Sequence, residues 1–148
     1  MDPEDCFSCR QNADWTPAPR EVIAVRGGWR VAHAIGPALL GWLVVLPRRH
    51  VLSLAELSDV ESAALGPLLR DVTRALQAVL DCRKTYVALF AESPGFAHLH
   101  FHVLPRMVDW ADDQLGPAAI LQFGSAAGHP VPESDMDALA LRLRPHIG

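Results

Sequence analysis

Three histidines occupy alternate positions in the run His98-Leu99-His100-Phe101-His102-Val103-Leu104 of this 148-residue chain. Histidine has an ordinary pKa of about 6.5, so it can serve as nucleophile, base or acid near neutral pH. In an extended strand successive side chains leave on opposite faces. An uninterrupted strand, expected over Ala97–Leu104, therefore puts His98, His100 and His102 on one face and Leu99, Phe101 and Val103 on the other. Same-face neighbours lie roughly 6.5–7 Å apart, which lets all three address one small anionic group or one metal. Catalytic zinc does use three histidines. Consecutive same-face residues of a straight strand, however, spread their ring nitrogens along a line, where a tetrahedral ion needs them to converge. The row points first to phosphoryl or acyl chemistry.

A second group with chemical potential lies at the N-terminus, Cys6-Phe7-Ser8-Cys9. A C-x-x-C is either a redox pair or half of a zinc site. The redox form expects the motif at the start of a helix that follows a central strand, and no strand pattern precedes it here, so zinc fits better. Structural zinc needs four nitrogen or sulfur ligands, and histidines are the stock from which two more would come. Cys82, alone at a helix end, reads as a small apolar filler.

Several elements must hold these groups. Glu21–Val25 and Trp29–Ala34 flank Gly27-Gly28 and read as a β-hairpin. Gly41–Leu46 is a continuous apolar strand expected to be buried on both faces, ended by Pro47, and Arg48-Arg49-His50 follow at its exit. Ser58-Asp59-Val60-Glu61 is a capping box opening the longest helical pattern, with a stripe of Val60, Ala64, Leu65, Leu68, Leu69, Val72, Leu76, Val79 and Leu80. Gly66-Pro67 inside it predicts a kink or a restart. Thr85–Ala91 reads as a strand, Glu92-Ser93-Pro94-Gly95 as a turn, and Ser134–Leu143 as a short amphipathic helix. Strands in hairpins with one long covering helix give an α+β fold, an antiparallel sheet under a helix.

Composition bounds the remainder. The length suits a single domain, 1–148, with an N-terminal segment 1–19 and a C-terminal extension 107–148. Half of the residues are apolar and 20% are charged, no apolar run is long enough for a membrane span, and no secretory signal is read. Cytoplasmic location is the expectation. A formal net charge of -4 argues against polynucleotide binding, which rests on neutralising many phosphates at once, and leaves a small phosphorylated ligand open.

Taken together, the His98-x-His100-x-His102-Val-Leu-Pro-Arg run, the upstream strand ending Leu46-Pro47-Arg48-Arg49-His50 and the capped helix between them resemble the histidine triad (HIT) family of nucleotide hydrolases and transferases over roughly residues 20–106. The N-terminal C-x-x-C is similar to that of its zinc-containing bacterial branch. The resemblance implies cleavage of a nucleoside 5′-phosphoryl bond in a dinucleoside polyphosphate, a nucleoside phosphoramidate or an adenylylated metabolite. His100 would attack the phosphate and carry the nucleotidyl group, His102 would bind a phosphate oxygen or help the leaving group, and the main-chain carbonyl of His98 would hold the attacking ring in the right tautomer. It also implies structural zinc on Cys6, Cys9, His50 and His98, and a homodimer. Two departures bear on the substrate. Ala34, beside His33, stands where relatives often carry a ribose-gripping aspartate, and Glu92-Ser93-Pro94-Gly95-Phe96-Ala97 replaces an Ala-Gly-Gln-Ser/Thr stretch. The substrate-binding set on this reading is Ser93, Gly95, Phe96 and His33. The alternative from another class is a nucleotide-binding or adaptor protein on the same fold, weakly active or inactive.

Overall fold

Gly27 and Gly28 both take positive φ, +60° and +84°, the backbone that a two-residue hairpin turn demands and that residues with a Cβ resist. Gly27 has a second constraint, because a Cβ there would meet the Ala64 Cβ at 2.5 Å. The turn joins strands β1 (Ala24–Arg26) and β2 (Trp29–His33), closing with Arg26 opposite Trp29. A computed structural model, which describes residues 1–122 and 128–148, adds β3 (Leu43–Pro47), β4 (Cys82–Leu89) and β5 (Phe101–Met107). All pairings are antiparallel, in the order β1-β2-β3-β5-β4. The expected α+β class is observed.

The sheet has two different faces because its central strands alternate. Val31, Leu43, Val45, Phe101 and Val103 join a main core with the helices, and each fully buried side chain of this kind contributes about 1.5–3 kcal/mol. On the other face Val44, Leu46 and His102 line an open cavity. The expected burial of β3 on both faces thus takes the form of a core on one side and a cavity floor on the other.

Among the described residues there are three α-helices, α1 (Phe7–Asn12), α2 (Asp59–Val79) and α3 (Glu133–Ile147). In α2, Leu68, Val72, Ala75 and Leu76 are buried. The helix runs through Pro67 without restarting, since both Gly66 and Pro67 face solvent and water can satisfy the freed carbonyl. The predicted stripe errs at its start, where Val60 is 71% exposed and Glu61 is buried instead. Glu61 is drawn inward by its partners. Its amide N–H donates to Ser58 Oγ (3.1 Å), its carboxylate accepts from the Ser58 amide (2.8 Å) and from Arg49 Nη2 (2.8 Å), and its main-chain carbonyl accepts from Trp29 Nε1 (2.8 Å).

Further corrections concern element ends. The first strand is only Ala24–Arg26, because Pro19–Glu21 forms a 3-10 turn. The helix predicted over Ser134–Leu143 extends to Ile147 and buries Met136, Leu139, Ala140, Leu143 and Ile147. The last four of these enter the main core, so this part of the C-terminal stretch is integral to the fold. Residues 123–127 of that stretch lie outside the described residues. Cys82 is partly buried against the main core, and burial raises its thiol pKa.

The Arg49 guanidinium and the Ser58 backbone hold the Glu61 carboxyl down to about 2. A carboxyl depressed in the folded state stabilises fully above its ordinary value near 4.5 and loses that contribution as pH falls toward about 2. Glu61→Gln is expected to cost about 1 kcal/mol at neutral pH, as for a lost cap and partly exposed ion pair. Denaturant melts should show the gap between variant and parent closing between pH 4.5 and 2.

Candidate functional site

The histidine row does not share a single strand face. Strand β5 begins at Phe101, so His98 and His100 both precede it, and His100 and His102 line a cavity that His98 does not reach. The His98 side chain is fully buried, with Nδ1 3.5 Å from Cys6 Sγ and 3.7 Å from Cys9 Sγ. His50 Nδ1 lies 3.2 Å from Cys9 Sγ. The four ligand atoms of Cys6, Cys9, His50 and His98 all fall within 4.8 Å of one another.

The arrangement fits a tetrahedral metal. With Zn–S of about 2.3 Å and Zn–N of about 2.05 Å, a regular tetrahedron has S···N edges of about 3.6 Å, close to those observed. Ring tautomers agree as well. His98 Nε2 is 2.7 Å from the Pro47 carbonyl and His50 Nε2 is 3.1 Å from the Met1 carbonyl. A carbonyl only accepts, so both Nε2 atoms carry the proton and both Nδ1 lone pairs face the sulfurs. Burial, then the neighbouring Cys6, pushes the Cys9 thiol up to about 11, and a dication between the sulfurs would reverse that balance. Cys6 occupies the N-cap position of α1 and Cys9 sits one turn on, so this six-residue helix brings both thiols to the same site.

The same logic fixes the other two rings. His100 Nδ1 is 2.8 Å from the His98 carbonyl, so Nδ1 is the donor and the Nε2 lone pair is left for chemistry. Trp42 Nε1, which can only donate, lies 3.0 Å from His102 Nδ1, so in the neutral ring the proton is on Nε2. Burial, then proximity to His100, lowers the His102 pKa to about 4. The two rings meet edge to face with centroids 4.8 Å apart. The two rings thus carry opposite tautomers, and both line one cavity.

That cavity has a volume of roughly 630 Å³, is walled mainly by apolar side chains, and includes His100 and His102. Of the predicted binding set, Ser93, Phe96 and His33 line it and Gly95 does not. His33 is spent on the backbone: its Nδ1–H donates to the Ala34 carbonyl (3.0 Å), and its Nε2 accepts from the Gly41 amide (3.0 Å). It clamps the two ends of the 34–41 loop that forms one lip. Phe96 packs against Phe7 from α1, with ring centroids 5.4 Å apart. Trp110 and Gln114 could reach a nucleotide by residue type, but a packing role is the expectation from the sequence, and the structure gives both residues structural partners. Trp110 stacks on Tyr86, and Gln114 caps the Ala111 amide.

Sequence reasoning did not single out Phe7, Gln11, Trp42 or Phe90, all of which line the cavity. Only Phe7 carried a usable signal, since a residue between two metal ligands is held against whatever those ligands join. Ala91 is the one described non-glycine residue with positive φ, 54°. It turns the chain off the end of β4 and brings Glu92 and Ser93 to the rim, a strained position of the kind found at functional sites.

Two measurements check this geometry. The purified protein is expected to hold about one zinc per chain by elemental analysis, and Cys9→Ala to lower both the metal content and the melting temperature. Proton NMR titration should show the His102 ring neutral across pH 5.5–8, with protonation only toward pH 4.

Comparison with known proteins agrees with the geometry. The HIT domain matches residues 16–108. An adenosine 5′-monophosphoramidase of Schizosaccharomyces pombe is 29% identical over 101 residues, covering 61% of this chain and 72% of that protein. A HIT-like protein of Mycobacterium tuberculosis is 30% identical over 103 residues, covering 68% and 70%. Among solved structures, a zinc-bound histidine triad family protein of Mycobacterium smegmatis aligns with a TM-score of 0.70 at 21% identity, over 99% of this chain and 95% of that one. A histidine triad nucleotide-binding protein of Sulfolobus tokodaii aligns with a TM-score of 0.71 at 16% identity, over 96% and 91%. With the domain match spanning most of the sheet and its alternating histidines, the chain belongs to the HIT family.

Proposed function

We propose that the protein cleaves a nucleoside 5′-phosphoryl bond through a nucleotidyl-histidine intermediate on His100. The observation that carries this reading is the pair of opposite tautomers at the cavity wall, a lone pair on His100 Nε2 next to an N–H on His102. The His100 nitrogen attacks phosphorus, and the bond to the leaving group breaks as the new P–N bond forms. The leaving group takes its proton from solvent at the open mouth. The His100 ring is then cationic, and its Nδ1–H bond to the His98 carbonyl strengthens as that charge develops. The His102 N–H donates to a phosphoryl oxygen throughout, and burial keeps the ring from taking up a second proton near neutral pH. Water then attacks phosphorus and gives a proton to solvent, the P–N bond electrons return to His100 Nε2, and the nucleoside monophosphate leaves.

Zinc on Cys6, Cys9, His50 and His98 would act structurally, since four protein ligands leave no open position for a reacting group. Its part would be to anchor His98, whose carbonyl orients the nucleophile. The similarity to a phosphoramidase supports the hydrolase reading at the level of the family.

Charge narrows the substrate. Among the described residues no lysine or arginine lines the main cavity, whose charged member is Glu92, and residues 120–127 contain no charged side chain. A polyphosphate carrying several negative charges would find little compensation there. A single phosphoryl group held by imidazole and backbone donors suits the site better, so a nucleoside phosphoramidate or adenylylated metabolite is favoured over a dinucleoside polyphosphate.

Mass spectrometry of acid-free quenched turnover mixtures should find a nucleotidyl adduct on the peptide containing His100. His100→Ala should lower turnover of a fluorogenic adenosine phosphoramidate by about three orders of magnitude or more. A diadenosine polyphosphate should be cleaved at least about ten-fold less efficiently than the phosphoramidate, a modest gap for unbalanced charge in a partly open site. Nucleotide binding with no turnover of any of these substrates would move the assignment to a binding protein.

A further inference from the structure

Arg30 lies within β2 at 2% exposure, and its guanidinium is committed in three directions. Nε donates to Asn12 Oδ1 (2.7 Å), Nη1 to the Glu21 carbonyl (2.6 Å) and Nη2 to Gln11 Oε1 (3.1 Å). Burial lowers its pKa to about 10, so it stays charged at neutral pH. The arrangement latches α1 and the 3-10 turn onto the sheet.

The latch also decides which way Gln11 faces. A guanidinium has donors only, so the glutamine must turn its carbonyl oxygen toward Arg30. Its amide nitrogen, with two N–H groups, points elsewhere and makes no hydrogen bond among the described residues. Asn12 next to it differs, since its Nδ2 donates to the Arg48 carbonyl at 3.1 Å while its oxygen accepts from Arg30. Gln11 therefore keeps a fixed, unspent donor pair.

Its position gives that donor a use. A second cavity of roughly 340 Å³ continues from the first, and Gln11 lines both, together with Phe7, His33, Ala34 and Ile35. Phe7 and Ile35 supply flat and branched apolar surface, and both nitrogens of His33 are already taken by backbone. A pocket with apolar walls and an oriented amide donor suits a planar ring that has an acceptor atom on its edge. Arg20 at the far end offers no free charge for a phosphate, because it is paired with Glu133 and Asp137, each at 2.9 Å. The phosphoryl end of a ligand thus belongs at the histidines and a ring at the Gln11 end.

We propose that Gln11 is a specificity residue that reads the heteroaromatic base of the substrate, donating from its amide nitrogen to a ring nitrogen or carbonyl oxygen on the base edge, with Arg30 fixing its orientation. This rests on the reading of the ligand as a nucleoside phosphate. Adenosine monophosphate and its 1-deaza, 3-deaza and 7-deaza analogues, each lacking one ring acceptor, are the probes. Binding is measured by calorimetry to the full-length protein, to Gln11→Glu and to Gln11→Leu. Gln11→Glu keeps an oxygen partner for Arg30 and removes the donors, so the latch and the melting temperature should survive.

One deaza analogue is expected to bind the unmodified protein about three- to ten-fold more weakly than adenosine monophosphate, the range for a single hydrogen bond. Both variants should bind adenosine monophosphate at that weakened level and should no longer distinguish the analogue. Variants that discriminate as the unmodified protein does, or an unmodified protein indifferent to all three deletions, would overturn the proposal while leaving the His100 mechanism intact. If adenosine monophosphate does not bind and no nucleotidyl adduct forms, the nucleoside phosphate reading itself fails, and the role of Gln11 fails with it.

Discussion

His98 is the residue on which the site depends, because it makes three directional interactions at once. Its Nδ1 faces the two thiols, its Nε2–H is held by the Pro47 carbonyl at the end of β3, and its own carbonyl accepts from the His100 ring. None of the three can shift without disturbing the others. Rotation of the His98 ring would leave a buried N–H and a buried lone pair unmatched, at about 1–3 kcal/mol for each unsatisfied group. The orientation of the His100 ring is thereby tied to an N-terminal segment more than eighty residues away in sequence. A structural metal at Cys6, Cys9, His50 and His98 would then stiffen the proposed site from outside the cavity.

The sheet supplies the other half of the arrangement. Its helix-facing side is a closed apolar core, and that closure makes the opposite side rigid enough to hold two rings at a fixed angle. Antiparallel pairing of β3 with β5 sets His102 opposite Val44, and Trp42, just before β3, reaches the same ring with its indole N–H. The acidic cap at the start of α2 serves this frame at a distance. Glu61 joins Arg49, at the exit of β3, to Trp29 in β2 and to the helix N-terminus, so the strand end that leads to His50 is tied down as well.

Much of this was legible in the residues, for reasons that differ by element. The Gly27-Gly28 turn, the Ser58 cap and the alternation of Phe101 and Val103 with His102 are local signals, and local physics decides them. The metal cluster was legible only through family resemblance, since spacing cannot bring Cys6 to His98. The strand expected to begin at Ala97 begins at Phe101 because the thiols and the Pro47 carbonyl offer His98 better partners than a place in the row, a tertiary effect that periodicity does not contain. The same kind of override exposed Val60 and buried Glu61. Trp42 was unreadable as a site residue, as tryptophan in an apolar run reads as core until a partner for its N–H is known.

The division of labour between His100 and His102 follows from hydrogen-bond direction before any question of pKa arises. A carbonyl acceptor behind one ring and an indole donor behind the other force opposite tautomers on chemically identical side chains. Burial then keeps His102 neutral near neutral pH, which suits the donor role proposed for its N–H. Exchanging the two supporting groups would exchange the roles. Arg30 applies the same device to Gln11, where a donor-only partner dictates which end of a symmetric-looking amide it binds. Orientation in this site is therefore imposed by partners that cannot reverse their polarity, the backbone carbonyl, the indole and the guanidinium. That restriction lets side chains able to donate or accept perform one function each.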